Sequence, residues 1–182
     1  MTRTLYYTAA TLDGYLADER DSLDWLFTQD IDPEGPMGFD AFVGGVGAVV
    51  MGRTTYEWVC RHLGTTGEAW AYAVPSFVFT HADLPMVEDA DIRFASGSVL
   101  AAHPALVDAA AGKDVWVVGG GDLAAQFADV GLLDEILVAI APVTLGAGRP
   151  LFPRPFNLDL KTLERNRAFA CATYSVVGPR PD

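Results

Sequence analysis

At 182 residues the chain has room for one domain with a sizeable core, or two small ones at most. Hydrophobic residues make up 51% and charged residues 20%, the composition of a globular rather than a disordered protein. A net charge of −12, from 24 acidic and 12 basic residues, comes with no Lys/Arg run to relieve it, which argues against nucleic acid and anionic membranes as partners.

No apolar stretch reaches the roughly 20 residues that span a bilayer, and the N-terminus reads as a strand rather than as a signal segment. A cytoplasmic location is expected. The two cysteines, Cys60 and Cys171, lie far apart with no neighbouring histidine pattern. That excludes a disulfide framework and a cysteine-based zinc site, so no metal is expected. Both cysteines read as small buried apolar residues.

Residues 3–10 form an aromatic and β-branched run, as in a buried strand. It enters a turn-rich loop through Tyr15, Leu16 and Ala17, whose Asp13-Gly14 pair could be a hairpin turn, although no antiparallel partner follows directly. Residues 23–27 read as a short helix or covering loop with exposed aromatics. Residues 30–38 are loop, and apolar residues at 39, 42, 43 and 46 have helical spacing. Residues 48–51 form a second buried strand, which stops at Gly52-Arg53-Thr54-Thr55 and opens another helix. A third strand spans 76–80 and ends at Thr80-His81. A fourth spans 92–95 and ends at Ser96-Gly97, before a helix over 99–111 that contains Pro104.

Residues 115–127 carry the clearest signal. An apolar strand runs into Gly119-Gly120-Gly121 and leaves as a helix through Asp122 and Leu123. Glycine lets the backbone approach an anion closely, and the first amides of the helix point at it with the positive end of the macrodipole behind them. Taken alone, such a run is as readily a tight turn without a ligand. A sixth strand covers 136–141, and residues 158–165 and 169–177 form an antiparallel pair turning at Asn166-Arg167. Strands alternating with helices argue an α/β fold in one domain over 1–182, with a mostly parallel sheet, helices on both faces and an antiparallel C-terminal hairpin.

Ligands of open parallel sheets sit at the carboxyl ends of the strands. The junctions at 52–55 and 119–122 fall there, as do the polar ends at 80–81 and 96–97. Two phosphate cradles on one edge suit a dinucleotide, but no third glycine completes a Rossmann fingerprint.

This combination resembles the dihydrofolate reductase fold, three layers with a mostly parallel central sheet. The matching pieces are Ala9-x-x-Leu12-Asp13-Gly14, the run V-V-M-G-R-T-T-Y-E over 49–57, and V-V-G-G-G-D-L-A-A-Q-F over 117–127. Within that fold it is more similar to the reductase domain of riboflavin biosynthesis and its stand-alone bacterial relatives. That likeness rests on Leu12-Asp13-Gly14-Tyr15, Asp24-Trp25-Leu26, the run 131–135, and Ala141-Pro142 through Phe152. The resemblance implies NADPH, held by Gly52, Arg53, Thr54, Thr55, Thr80, His81, Gly119, Gly120, Gly121 and Asp122, with Ala9 and Leu16 beside the nicotinamide. It implies a reductase acting on a ribosylamino-pyrimidine phosphate or another small heterocycle, and a homodimer, to which the open apolar C-terminal strand pair adds. Asp122 would be unfavourable beside a phosphate unless it turned away to cap its helix.

Folate is disfavoured. Asp40, the nearest helical acid, sits about one turn late on the homologous spacing, Ala73-Val74-Pro75 replaces the expected glutamate-binding arginine, and Ala139 stands where a threonine would support the acid. Glu135 matches the acidic position of the riboflavin branch, so Glu135 and Asp40 are the catalytic candidates. Tyr15, Trp25 and Phe39 are candidates for a substrate pocket, and Arg149 and Arg154 for a substrate phosphate. The zinc deaminase signature is absent. Two alternatives stay open: a reductase of dihydrofolate, a pterin or another small carbonyl or imine, and a dinucleotide-binding protein without turnover.

Overall fold

The computed structural model describes residues 1–181. In chain order the elements are β1 (Thr4–Thr11), β2 (Tyr15–Ala17), α1 (Asp24–Phe27), α2 (Phe39–Val43), β3 (Val46–Gly52), α3 (Arg53–Thr66), β4 (Ser76–Phe79) and β5 (Ile92–Ala95). There follow α4 (Val99–Ala110), β6 (Asp114–Gly119), α5 (Gly121–Asp129), β7 (Glu135–Ala141), β8 (Arg149–Pro150), β9 (Phe156–Asn166) and β10 (Phe169–Pro179). Eight strands form one sheet in the order β5-β4-β3-β6-β1-β7-β10-β9. All pairings from β5 to β7 are parallel, and β10 runs antiparallel to both β7 and β9. The fold class read from the sequence is the one observed.

Period-two alternation splits the strands between two faces. Tyr6, Val50, Val117 and Ile136 point to one face and pack with Leu106 of α4 and Phe127 of α5. Val49, Met51, Val78 and Trp116 point to the other, beneath Tyr56 of α3 and Phe42 and Val43 of α2. On that second side α1 sets Trp25 against Ala139, Phe169 and Cys171. Helix α4 keeps its regular start because Ser98 Oγ accepts the Ala101 amide at 3.2 Å.

Three local readings change. Trp25, expected to be exposed, is buried, because the C-terminal hairpin, remote in sequence, covers it. Segment 15–17 does find an antiparallel partner, β8, some 130 residues later. Cys171 is buried as expected and its thiol is pushed up by desolvation, whereas Cys60 is half-buried.

The topology also opens a gap. Strand β6 enters the sheet between β3 and β1, where the direction of strand addition reverses. It follows β1 only as far as Tyr6 opposite Val117, then breaks at Gly119 into α5. Strand β1 continues to Thr11 along β7. Thr8 and Ala9 are thereby left beside an opening at the carboxyl ends of the strands.

Candidate functional site

A cleft of about 750 Å³ occupies that opening. It runs from Thr80, His81, Ser96 and Gly97 at the ends of β4 and β5, past the starts of α3 and α5, to Thr8, Ala9 and Leu16. Each of Ala9, Leu16, Gly52, Arg53, Thr54, Thr55, Thr80, His81, Gly119, Gly120, Gly121 and Asp122 lines it. Trp25 does so as well.

Two helices begin at this cleft without a side-chain cap: α3 after Gly52 and α5 after Gly120. Their first amides lack intrahelical acceptors, so both helix ends favour an anion in front of them. The Gly119–Gly120 peptide is cis. A Cβ built on Gly120 would meet nothing within 4 Å, so that glycine faces the open cleft. One built on Gly121 would run into the carbonyl oxygens of Pro150 and Leu151. Gly121 therefore allows α5 to pack against the chain at β8, while Gly120 leaves room for a ligand. Gly119 has φ +156°, and a Cβ there would stand 3.3 Å from Thr55 Oγ1, so the two helix starts close on each other. These features fit the phosphates of a dinucleotide.

Among the described residues, the charges lining the cleft are Arg53, Arg149, Asp21 and Asp122, two of each sign, in a chain of net −12. Each has a partner: Arg53 Nε bonds Glu57 at 2.8 Å, Arg149 Nε bonds Asp21 at 2.6 Å, and Arg154 reaches Asp122 at 3.3 Å. Asp122 does not cap α5. It turns along the helix, accepts from Gln126 Nε2 at 2.8 Å, and is screened by Arg154. Thr80 Oγ1 accepts the Ala82 amide at 2.9 Å, which holds the turn that carries His81.

The other end of the cleft carries an apolar wall, made by Leu23, Trp25 and Leu26 around α1 and by Trp58 of α3, next to the Asp21–Arg149 pair. Trp25 Nε1 donates to the Leu16 carbonyl at 3.2 Å, so the ring is fixed and its polar atom is satisfied. The Trp58 ring stacks on His62 at 5.0 Å, and Phe27 stacks on the same imidazole at 6.1 Å, which links α1 to α3 above the cleft.

Four expected residues lie elsewhere. Glu135 is the first residue of β7, opposite Leu5 at the start of β1, and therefore at the amino end of the parallel strands. It pairs there with Arg3 at 3.2 Å and is no part of the cleft. Asp40 is exposed on α2, whose apolar side packs Phe42 on Tyr7 at 4.0 Å. Phe39 stands edge-on to Trp116 at 5.9 Å. Tyr15 alternates with Leu16 along β2, and Leu16 is the one that lines the cleft. Reading from sequence missed Leu23, Leu26, Trp58 and Asp21. The signal for Trp58 was available, since it falls one helical turn after Thr55 on the same side of α3.

The family model of the RibD C-terminal domain matches residues 4–173. The chain belongs to the RibD C-terminal domain family. A relative in that likeness is the uncharacterized protein YwjB of Bacillus subtilis (strain 168), 30% identical over 171 residues, 93% of this chain and 94% of the relative. Among solved structures, a protein of Shewanella sp. PV-4 assigned by its name to riboflavin biosynthesis superposes with a TM-score of 0.82 at 26% identity, over 96% of this chain and 99% of the other. The Thermotoga maritima diaminohydroxyphosphoribosylaminopyrimidine deaminase/5-amino-6-(5-phosphoribosylamino)uracil reductase gives 0.69 at 18%, covering 96% of this chain and 56% of that one. Dihydrofolate reductase of Enterococcus faecalis, solved with NADP(H), gives 0.56 at 12% over 96% of both chains. At those last two identities the likeness is one of fold, and RibD C-terminal domains have the dihydrofolate reductase-like fold in this chain too.

Proposed function

We propose that this RibD C-terminal domain is an NADPH-dependent reductase that transfers hydride to a C=N or C=O carbon of a small heterocyclic or ribosylamino-type substrate, as a cytoplasmic enzyme. One observation carries the reading: two helices open uncapped on a single cleft, with glycine Gly120 facing its empty space. The names of the Thermotoga and Enterococcus proteins support a reductase using a nicotinamide cofactor.

The amides after Gly52 and Gly120 would hold the phosphates, assisted by the Thr54 and Thr55 hydroxyls. Thr80 and His81 would lie toward the adenosine ribose and its 2′-phosphate, and Ala9 and Leu16 beside the nicotinamide. A bound dihydronicotinamide supplies a hydride and leaves oxidised. The chain contributes alignment of the two partners and exclusion of bulk water on the Trp25 and Trp58 side. Both carboxylates that line the cleft, Asp21 and Asp122, are engaged by arginines. The proton for the substrate heteroatom is therefore assigned to water entering from the open side. That engagement is also what a dinucleotide-binding protein without turnover would show.

Calorimetric titration with NADPH and NADH at fixed salt, followed by single-turnover absorbance with a carbonyl or imine substrate, tests both. Preferential NADPH binding with turnover supports the reductase, binding without turnover supports the binder, and no binding of either nucleotide refutes both.

The edge strand β9 supports a homodimer as the assembly. Register slips between Thr173 and Tyr174, where Thr162 and Leu160 stand opposite, so Lys161 is an extra residue. That slip sets Leu163 opposite Ala172 on the same face as Leu160 opposite Tyr174 and Leu158 opposite Val176. All three leucines are exposed, and an exposed apolar edge is a surface that a second copy would cover. Sedimentation should give a dimer that Leu160→Glu converts to monomer; a monomeric wild type refutes the assembly.

A further inference from the structure

We infer that the substrate carries no phosphate and is a flat, uncharged, largely apolar carbonyl or imine compound. This rests on the reductase reading above and names the class of substrate that the second half of the cleft accepts.

A phosphate monoester near neutral pH is a dianion. A protein that recognises one supplies free cations or unoccupied amides at the place where it sits. The uncapped amides here are at the α3 and α5 starts, beside Gly52 and Gly120, in the part of the cleft assigned to the cofactor. Beyond Ala9 and Leu16 the walls include Leu23, Trp25, Leu26 and Trp58, with the Asp21–Arg149 pair next to them. The cationic side chains lining the whole cleft, among the described residues, are Arg53 and Arg149. Arg53 stands at the α3 start and is bound to Glu57.

Arg149 is held in a two-point pair, with Nε at 2.6 Å from Asp21 Oδ1 and Nη2 at 3.2 Å from Oδ2. Asp21 belongs to a loop that is itself pinned, because Asp18 Oδ1 accepts the Arg20 and Ser22 amides at 2.8 and 2.9 Å. To bind a phosphate, Arg149 would have to leave that carboxylate, and Asp21 would then stand unpaired beside the incoming dianion. Arg154, the other cation considered from sequence, lies between Asp122 and Asp129 at 3.3 and 3.2 Å. With the chain at −12 overall, the long-range field also opposes an anion.

The same walls favour a flat aromatic. The Trp25 ring is immobilised by its bond to the Leu16 carbonyl, and Trp58 is immobilised by stacking on His62. Both offer rigid apolar surface with little conformational entropy left to lose. Reduction adds hydride to the C=O or C=N carbon and a proton from water to the heteroatom, giving an alcohol or amine and oxidised nicotinamide. None of these changes requires a charge on the substrate.

The test uses a pair of compounds that differ only in the phosphate: 6-hydroxy-2-naphthaldehyde and its phosphate monoester. Each is titrated calorimetrically into the protein saturated with NADP+, where no hydride is available, after NADPH affinity has been measured on the same sample. The free naphthaldehyde is expected to bind at least tenfold more tightly than the ester. Trp58→Ala should weaken its binding about tenfold, the scale of a lost aromatic pair. Leu23→Arg, which puts an unpaired cation on the apolar wall, should narrow or reverse the preference. Equal or tighter binding of the ester to the wild type, or binding of neither compound, overturns the inference while the cofactor reading stands. Failure to bind NADPH in the first titration overturns the cofactor reading instead.

Discussion

Replacing Gly120 by alanine should separate binding from folding. Gly120 has φ −87° and ψ −174°, an extended conformation open to any residue, and its missing Cβ points into free space. As the residue preceding α5, alanine is less favourable than glycine by roughly 0.5–1 kcal/mol. Lower entropy of the unfolded chain returns about 0.4–1 kcal/mol. The melting temperature should therefore hardly move. In the bound state the methyl group would occupy the space in which a phosphate approaches the α5 amides. Loss of one hydrogen bond to a charged group is worth about 1.5–3 kcal/mol, so NADPH should bind about 10- to 150-fold more weakly. Gly121→Ala is the contrast. Its methyl group meets two backbone carbonyls that cannot turn aside, an overpacking cost of about 1–3 kcal/mol. For a chain of this size that lowers the melting temperature by roughly 2–4 °C per kcal/mol. Calorimetry with NADPH and thermal unfolding of both variants give the readout. Undiminished NADPH affinity in a normally folded Gly120→Ala protein would mean that the glycines merely turn the chain.

Arg53→Ala should weaken NADPH no more than about fivefold, the scale of an exposed charge pair, because Arg53 is already bound to Glu57; a larger loss, greater for NADPH than for NADH, would show that Arg53 leaves Glu57 for the 2′-phosphate. Glu135→Gln should leave NADPH affinity and turnover as they are, with at most about 1 kcal/mol lost from an exposed pair with Arg3; a fall in turnover at unchanged affinity would return Glu135 to catalysis. Asp13 joins two loops, accepting from the Thr11 hydroxyl and from the Gly146 and Leu145 amides at 2.7 and 3.0 Å. The Thr11 bond first, and the amides after it, hold its carboxyl below the usual value. A depressed carboxyl stabilises the fold above the unfolded-state value of about 3.9 and loses that contribution as pH falls through the lower folded one. Asp13→Asn should therefore flatten the stability profile below about pH 4, and an unchanged acid transition would show that these bonds carry no net stability.

The glycine-lined half of the cleft was legible because it is built from local signals. An apolar run, a glycine stop and an amphipathic continuation lie within about ten residues of one another, and the rule that ligands gather at the carboxyl ends of parallel strands does the rest. Trp58 was legible by its helical spacing from Thr55, but the walls at Leu23 and Leu26 were not. They reach the cleft because α1 is pressed onto the sheet by the C-terminal hairpin, through Trp25 against Phe169 and Cys171, contacts spanning more than a hundred residues. The β2–β8 ribbon was hidden for the same reason, since two- and three-residue strands carry no periodicity. Glu135 is different, because the sequence held enough to place it. An acid that opens a parallel strand stands at the end opposite the ligand edge, and the resemblance of its neighbours to a family motif drew attention away from that geometry.

Charge shows why residue type alone misleads at this site. Arg53, Arg149 and Arg154 read as anion ligands when each is taken alone, and Asp122 as a liability beside phosphate. The structure puts each against a partner, one of them local, Glu57 four residues along the same helix, and the others, Asp21 and Asp122, 128 and 32 residues away. Paired charges exert weak fields beyond their own contact, which leaves the backbone amides of α3 and α5 as the anion-attracting groups free to act in the cleft. Those amides are fixed in direction by their helices and carry no counter-charge to be displaced. On the proposed reading, a chain at −12 would in this way hold a polyanionic cofactor at one end of the cleft, while the other end, lacking such amides, would select against phosphate.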